Sequence, residues 1–213
     1  MTEASAPSTR RRGLAPILIG AALAGLLLLF LGLQAMPDRN PALPVIATVP
    51  DFTLVSSQGE PFGRRDLLGH PWIADLMFTS CAGVCPRMTT EMARIEEGAH
   101  DLPNARFISI SVDPERDTPE VLAAYAKKLD VERDRWFFLT GDRDAVYELA
   151  SSGLLLPAQE GDVDQGQEAV LHSSRFVLID SEGRVRGFYD SRDTGALLRL
   201  RSDLRRVDDA PLG

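Results

Sequence analysis

The sequence predicts an α/β protein in which helices flank a central mixed β-sheet. Two observations indicate this fold class: apolar strand-like runs alternate with helical patterns, and a pair of strands joined by a short turn precedes a final helix. A length of 213 residues and a hydrophobic content of 44% are typical of one globular domain rather than of a disordered chain.

The elements can be assigned in order from their periodicity and turn residues. Residues 51–55 and the turn at 56–59 predict a first hairpin. Apolar runs predict buried strands at 72–78, 106–112, 136–139 and 176–180. Helix signals lie at 86–98, from 117–120 onward and at 142–150, and the turn at 181–183 precedes a strand at 184–189 and a final helix after Asp193. This order of elements is thioredoxin-like.

The amino-terminal region predicts a membrane anchor. Residues 14–33 carry no charge, and twenty helical residues span about 30 Å, the thickness of a bilayer's hydrocarbon core. Arginines 10–12 precede this segment, so the positive-inside rule places residues 1–13 in the cytoplasm and the rest of the chain outside. A cleaved signal peptide is the alternative, but residues 33–35 form a poor cleavage site.

The remaining sequence predicts a proline-rich tether over residues 34–50 and one exported domain over residues 51–213. The arginine bias, with Lys127 and Lys128 as the two lysines, indicates a bacterial source. We therefore expect a single-pass protein of the bacterial inner membrane whose carboxy-terminal domain lies in the periplasm. A formal charge of −8 argues against nucleic acid as a partner.

The two cysteines, Cys81 and Cys85, lie where a buried strand meets a helix. Pro86 suits the first turn of a helix and places Cys85 near its start, where the amides and the helix dipole favour a thiolate. The C-x₃-C spacing suits two thiolates that chelate one ion at least as well as it suits a disulfide. Paired thiolates favour Cu(I) or Zn(II), and a closed zinc site is disfavoured because there is no second cysteine pair.

Asp75 places a carboxylate inside a predicted buried strand. A charge there is unfavourable unless it is paired or neutralised. Asp75 precedes Cys81 by six residues, as the buried aspartate of thioredoxins precedes its first cysteine. Either Asp75 has a raised pKa and accepts a thiol proton, or it faces solvent or bonds to a helix cap. Residues 159–168 are acidic and predict a solvated loop leading to His172.

Three motifs resemble the SCO1/SenC family in their order along the chain: CAGVCP at 81–86, SVDPERDTPE at 111–120, and HSS at 172–174 before the strand FVLID. Members of this family are membrane-anchored, thioredoxin-fold proteins that bind copper and help to assemble the CuA centre of cytochrome c oxidase. The resemblance implies that Cys81, Cys85 and His172 are copper ligands. It also matches Asp113 to an acidic position near the site.

The resemblance favours a copper(I) metallochaperone that acts on cytochrome c oxidase subunit II or another copper or thiol partner. The alternative is a thiol-disulfide reductase in which Cys81 and Cys85 react and Asp75 accepts a proton. Whether the protein is an enzyme stays open at this point. A peroxiredoxin-like peroxidase is a weaker alternative, for which Thr79 and Arg87 are available beside the cysteines.

Overall fold

The computed structural model describes residues 23, 25–28, 30, 42–81, 83, 85–130, 134–160 and 170–208, with the backbone alone at 158–160 and 170–172. The chain divides into two compact units, Met1–Pro41 and Ala42–Gly213. Within the first unit, the six described residues are helical, and their large apolar side chains are more than half exposed. None of the helices in the described part of the chain is long and apolar enough to cross a membrane. Most of the predicted span at 14–33 lies outside the described residues.

An eight-stranded mixed sheet forms the centre of the second unit. Its strands in chain order are β1 (Ala47–Thr48), β2 (Thr53–Ser56), β3 (Pro61–Gly63), β4 (Trp72–Met77), β5 (Arg106–Ser111), β6 (Trp136–Thr140), β9 (Arg175–Ile179) and β10 (Arg184–Asp190). In space they run β1-β10-β9-β4-β5-β6-β2-β3. The strands β7 (Ala158–Glu160) and β8 (Val170–His172) pair separately. The predicted central mixed sheet is therefore confirmed.

Four helices accompany the sheet: α1 (Cys85–Glu97), α2 (Pro119–Leu129), α3 (Arg143–Glu148) and α4 (Thr194–Asp208). α1 buries one stripe that contains Met88, Met92 and Ile95, as its periodicity predicts. Thr118 caps α2 by accepting a hydrogen bond from the amide of Val121. The predicted third helix is shorter than expected, because a π-helical turn, Leu149–Gly153, follows α3.

Strand β4 is the central strand and is buried along its whole length. It pairs in parallel with β5, from Trp72 opposite Arg106 to Met77 opposite Ser111. On its other side it pairs antiparallel with β9, with Ala74 opposite Val177. Both faces of β4 are therefore covered, which explains why its sequence reads as a nearly continuous apolar run.

The end of the predicted tether belongs to the folded unit. Ala47 and Thr48 form the edge strand β1 against β10, and Val49 is fully buried. Arg186 donates hydrogen bonds to the carbonyls of Leu43 and Pro44. This strand has no signal in the sequence, because two residues cannot show a strand period. The boundary of the folded unit therefore precedes the predicted residue 51.

Candidate metal centre

Cys81 and Cys85 lie between the end of β4 and the start of α1, as the sequence predicts. The amide of Cys81 donates to the carbonyl of Phe78 at 3.3 Å, and this hydrogen bond closes a tight turn after β4. Cys85 is the first residue of α1. The two side chains are 7% and 1% exposed, and no disulfide joins them. The turn thus holds two thiols below the surface at the amino terminus of a helix.

Burial dominates the acid-base behaviour of Cys85. Burial raises the pKa of this thiol strongly, the Cys81 thiol raises it further through a hydrogen bond, and a hydrogen bond with the backbone of Phe78 lowers it only in part. The direction of this shift is opposite to the one that the helix start favours. A helix terminus stabilises a charge by about 1 kcal/mol or less, which is too little to offset the loss of hydration. Burial therefore disfavours the thiolate form of Cys85 in this structure.

Asp75 lies in the middle of the sheet and does not face solvent. Its side chain is 1% exposed and lies opposite Ser109 in the parallel pairing of β4 and β5. Neither carboxylate oxygen makes a hydrogen bond of normal geometry with any residue in the described ranges. Burial raises the pKa of Asp75 to about 7, and the hydroxyl of Ser109 lowers it only in part. That hydroxyl also accepts a 3.0 Å hydrogen bond from Nε1 of Trp136.

Tyr125 is a further polar group near the thiols, and sequence analysis did not single it out. Its phenol oxygen shares a 3.1 Å hydrogen bond with Oγ1 of Thr89, which links α2 to α1. Burial raises the pKa of Tyr125, and electrostatic interactions with Asp75, Cys85 and Cys81 contribute to the same shift. A tyrosine in an amphipathic helix carries no sequence signal that distinguishes a site residue from a core residue.

A second buried carboxylate, Asp117, lies beside the cysteine turn. It accepts hydrogen bonds from the amide of Thr79 at 2.9 Å, from the hydroxyl of Thr79, and from the hydroxyl of Ser111 at 2.5 Å. The sequence placed Asp117 in a helix-start signal, but the residue that caps α2 is Thr118. Its partners could not be read from the sequence because Thr79 is 38 residues away.

Asp113 follows β5 and is mostly buried. Its carboxylate accepts a 3.1 Å hydrogen bond from Arg116, and its amide donates to Oγ of Ser111. The same turn therefore contains both aspartates of the motif, Asp113 and Asp117. Among the side chains that the structure describes, no group of three or more His, Cys, Asp or Glu residues is arranged to hold an ion.

His172 is the last residue of β8, and its backbone pairs with Ala158. Strand β9 begins three residues later and runs antiparallel to β4, with Ala74 opposite Val177. The amino-terminal end of β9 therefore lies beside the carboxy-terminal end of β4, which leads into the cysteine turn. This topology brings the backbone around residue 172 to the edge of the sheet where β4 ends.

The two residues that the peroxidase alternative requires are engaged elsewhere. Thr79 donates its hydroxyl to Asp117. Arg87 donates a 3.3 Å hydrogen bond to the carbonyl of Arg192. These contacts do not favour the arrangement of threonine and arginine around one reactive cysteine that a peroxidase needs.

The strand order β10-β9-β4-β5-β6, with a thiol pair between β4 and α1, defines a thioredoxin-like protein. The profile of the SCO1/SenC family matches residues 42–205. The chain therefore belongs to the SCO1/SenC family. This match covers the whole sheet and all three motifs that carry the resemblance in the sequence.

Individual relatives agree with this family. The SCO1 protein homolog of Bacillus subtilis (strain 168) is 31% identical over 188 residues, which are 85% of this chain and 93% of that protein. BsSco, a member of the Sco family of cytochrome c oxidase assembly proteins with a disulfide switch, has a TM-score of 0.70 at 27% identity and covers 80% of this chain and 100% of its own. The structure of ScoI of Bradyrhizobium japonicum with copper bound has a TM-score of 0.60 at 26% identity, and the match covers 76% of this chain and 99% of that chain.

The first prediction concerns the pH dependence of stability. The folded-state pKa of Asp75, about 7, lies above its ordinary value of 3.8, so this group contributes stability below about pH 4 that is lost as the pH rises through 7. Asp75→Asn removes this dependence. Between pH 4 and pH 7, the free energy of unfolding of the wild type should fall by on the order of 4 kcal/mol relative to that of the variant. Urea unfolding of the reduced proteins measures this, and parallel curves would contradict the raised pKa.

Proposed function

We propose that the protein is a membrane-anchored copper(I) metallochaperone that assists assembly of the CuA centre of cytochrome c oxidase. The observation that carries the proposal is the pair of buried thiols, Cys81 and Cys85, close enough to hydrogen-bond at the start of α1. Thiolates are soft ligands that favour Cu(I). A closed structural zinc site has four protein ligands. The chain has two cysteines and no second cysteine pair, which disfavours such a zinc site.

Cys81 and Cys85 are the proposed thiolate ligands, and His172 is the proposed imidazole ligand. The antiparallel register of β9 on β4 supports this set, because it brings the backbone around residue 172 to the edge where the cysteine turn lies. Three ligands leave the ion with a low coordination number. A ligand of the partner can then bind the ion before a ligand of this protein leaves, which suits transfer of cargo.

The burial of the thiols couples copper binding to proton release. Because burial raises the pKa of Cys85, the ion has to displace the proton of this thiol at neutral pH. We therefore expect the affinity for Cu(I) to rise with pH. The bound cation in turn neutralises thiolates that could not stay charged in this setting without it.

The relatives support copper as the cargo. ScoI of Bradyrhizobium japonicum, 26% identical, is known with copper bound. The family of BsSco is described as one of cytochrome c oxidase assembly proteins. We propose cytochrome c oxidase subunit II as the recipient of the ion.

The second prediction is that the reduced protein binds one Cu(I). Cys81→Ser and Cys85→Ser should each abolish tight binding, because a hydroxyl is a hard and weakly acidic ligand. His172→Ala should weaken binding by roughly 10–100-fold or more. Anaerobic competition with a Cu(I) chelator measures the affinities. His70→Ala, whose ring contacts the carbonyl of Asn104, is the matched histidine control and should bind like the wild type.

Unchanged stoichiometry and affinity in Cys81→Ser would contradict the copper proposal.

A second candidate function is reduction of a disulfide in the partner. Asp75 favours it, because this buried acid has a pKa of about 7 and interacts electrostatically with Cys85. One thiol would lose its proton to Asp75, attack the partner's disulfide and form a mixed disulfide, which releases one partner thiolate. The other cysteine would then displace the second partner sulfur and form the Cys81–Cys85 disulfide. Two electrons pass to the partner, and the leaving thiolates take up the protons.

The third prediction distinguishes the two candidates. If Asp75 accepts the thiol proton, Asp75→Asn should slow mixed-disulfide formation with a CuA-site peptide by roughly 10-fold or more near neutral pH, the lower end of the usual general-base contribution. Its Cu(I) affinity should stay close to that of the wild type. The measurement is the exchange rate against pH for both proteins. Superimposable profiles would exclude the proton-acceptor role and leave metal delivery as the function.

The location is part of the proposal. We infer a single span over residues 14–33 in the bacterial inner membrane, with the folded unit in the periplasm. The uncharged sequence, the arginines before it, and the exposed apolar side chains of the helical residues between 23 and 30 support this topology.

The fourth prediction tests this topology. A reporter that works only outside the cytoplasm should be active when it is fused after Met36. The full-length protein should remain in the membrane fraction with its amino terminus intact. Replacing arginines 10–12 by glutamine should reduce the fraction of molecules whose carboxy-terminal domain lies outside the cytoplasm, because the positive charge before the span determines its orientation. A soluble form that begins near Met36 would show that the segment is cleaved.

A further inference from the structure

Asp117 is a fully buried carboxylate that the proposed function does not yet use. It is 0% exposed, and no ion pair between described residues includes it. Three donated hydrogen bonds satisfy its two oxygens: two from Thr79 and one from Ser111. Because a buried charge without a cation is unfavourable, the fold tolerates this group only where donors surround it.

These hydrogen bonds join two turns that meet at one edge of the sheet. Thr79 lies in the turn after β4, two residues before Cys81, and Ser111 ends β5. The strands themselves pair up to this point, and the amide of Val112 donates to the carbonyl of Met77 at 2.9 Å. Beyond it, Asp117 ties the cysteine turn to the neighbouring strand through its bonds with Thr79 and Ser111.

The hydrogen bonds between Asp117 and Thr79, called the Asp117 anchor below, are not needed to cap α2. Thr118 already caps this helix through its own hydroxyl, so Asp117 is not required as the cap. The backbone of Asp117 is held separately, because its amide donates to the carbonyl of Asp113 at 2.9 Å. The side chain is therefore left to bind Thr79, and Thr79 lies in the turn that carries the first thiol.

We propose that Asp117 is a positioning residue for the thiol pair, which fixes the turn before Cys81 and thereby sets the separation of the two sulfurs. The proposal rests on the proposed copper function. Cys85 is held by α1, whereas Cys81 is held by the short turn that begins at Phe78. Anchoring Thr79 fixes the Cys81 side of the pair, so less conformational freedom is lost when the two thiolates bind one ion.

The same anchor opposes disulfide formation. Thr79, two residues before Cys81, is held by Asp117 through both its amide and its hydroxyl. A disulfide requires Cβ atoms about 3.8 Å apart, and because Cys85 belongs to α1, Cys81 reaches that separation only if the turn after β4 moves. Loosening the turn lets Cys81 approach Cys85 more readily. Loss of the anchor should therefore weaken copper binding and favour the disulfide at the same time.

The test compares Asp117→Asn with the wild type as full-length proteins in detergent. Asparagine keeps the shape, but its NH₂ group has to face one of the three donors. We expect the Cu(I) affinity to fall by roughly 10–100-fold, the range for groups that orient metal ligands. Without copper, the thiol-disulfide equilibrium against glutathione should shift roughly 10-fold toward the disulfide.

A matched control separates positioning from stability. Asp180 is another buried carboxylate, and it accepts hydrogen bonds from the amides of Glu182 and Arg184 at the β9–β10 turn. Asp180→Asn should destabilise the fold but change both the copper affinity and the disulfide equilibrium by less than about 2-fold, since it does not touch the cysteine turn. An equal loss of copper affinity in both variants would overturn the proposal.

Substitutions at Thr79 give a second, independent measurement. Thr79→Val removes the hydroxyl bond to Asp117 and keeps the amide bond, whereas Thr79→Ser keeps both. The valine variant should show the same changes as Asp117→Asn to a smaller degree, and the serine variant should behave like the wild type. If Asp117→Asn does not fold, the comparison of Thr79→Val with Thr79→Ser tests the proposal. Equal copper affinity and equal disulfide equilibrium in these two variants would overturn it.

The outcomes keep this inference distinct from the copper function. A wild type that binds no Cu(I) contradicts the metallochaperone, while the disulfide equilibrium still shows whether Asp117 positions the thiols. A wild type that binds Cu(I), together with an Asp117→Asn variant that matches it in both measurements, overturns the positioning role alone.

Discussion

Strand β4 pairs with β5 on one side and β9 on the other, and these pairings bring three distant parts of the chain to one edge of the sheet. The parallel register of Met77 with Ser111 makes the two strands end together, so the cysteine turn meets the turn after β5. The antiparallel register of β9 brings the backbone around residue 172 to the same edge. A slip of one residue in β4 would turn Asp75 and every neighbouring side chain to the opposite face. The geometry of the proposed site therefore depends on this register.

Burial at this edge is the second constraint, and two carboxylates meet it in different ways. Asp117 accepts three hydrogen bonds, two of them from Thr79. Asp75 makes no hydrogen bond of normal geometry with the described residues, and burial raises its pKa to about 7. The difference follows from their positions. Asp117 lies beside the ends of β4 and β5, where the amide of Thr79 and the hydroxyls of Thr79 and Ser111 can donate to it, whereas Asp75 lies in a strand whose amides are already used in the sheet.

The sequence predicted the parts of the fold that local patterns determine. The apolar run of β4, the helical stripe of α1 and the placement of Cys85 at a helix start all followed from residue type and spacing. It could not predict β1, which has two residues and is held by β10 from the far end of the chain. It also missed Asp117, because the bonds to Thr79 join residues that only the sheet brings together. The helix-start signal favoured a thiolate at Cys85, whereas burial raises the pKa of this thiol, because such a signal carries no information about burial.

Copper delivery and disulfide exchange place different demands on one pair of sulfurs. An ion between two thiolates keeps the sulfurs farther apart than the bond of about 2.05 Å that a disulfide requires. In this fold one sulfur is fixed by α1, and the other follows a turn anchored through Thr79. Both anchors restrict the approach of the sulfurs, and neither prevents two thiolates from sharing an ion. The burial that raises the pKa of Cys85 acts in the same direction, because a thiolate without a bound cation is unfavourable there, and disulfide exchange has to begin from such a thiolate. Under the proposed function, a bound soft cation would offset this cost of burying the thiolates.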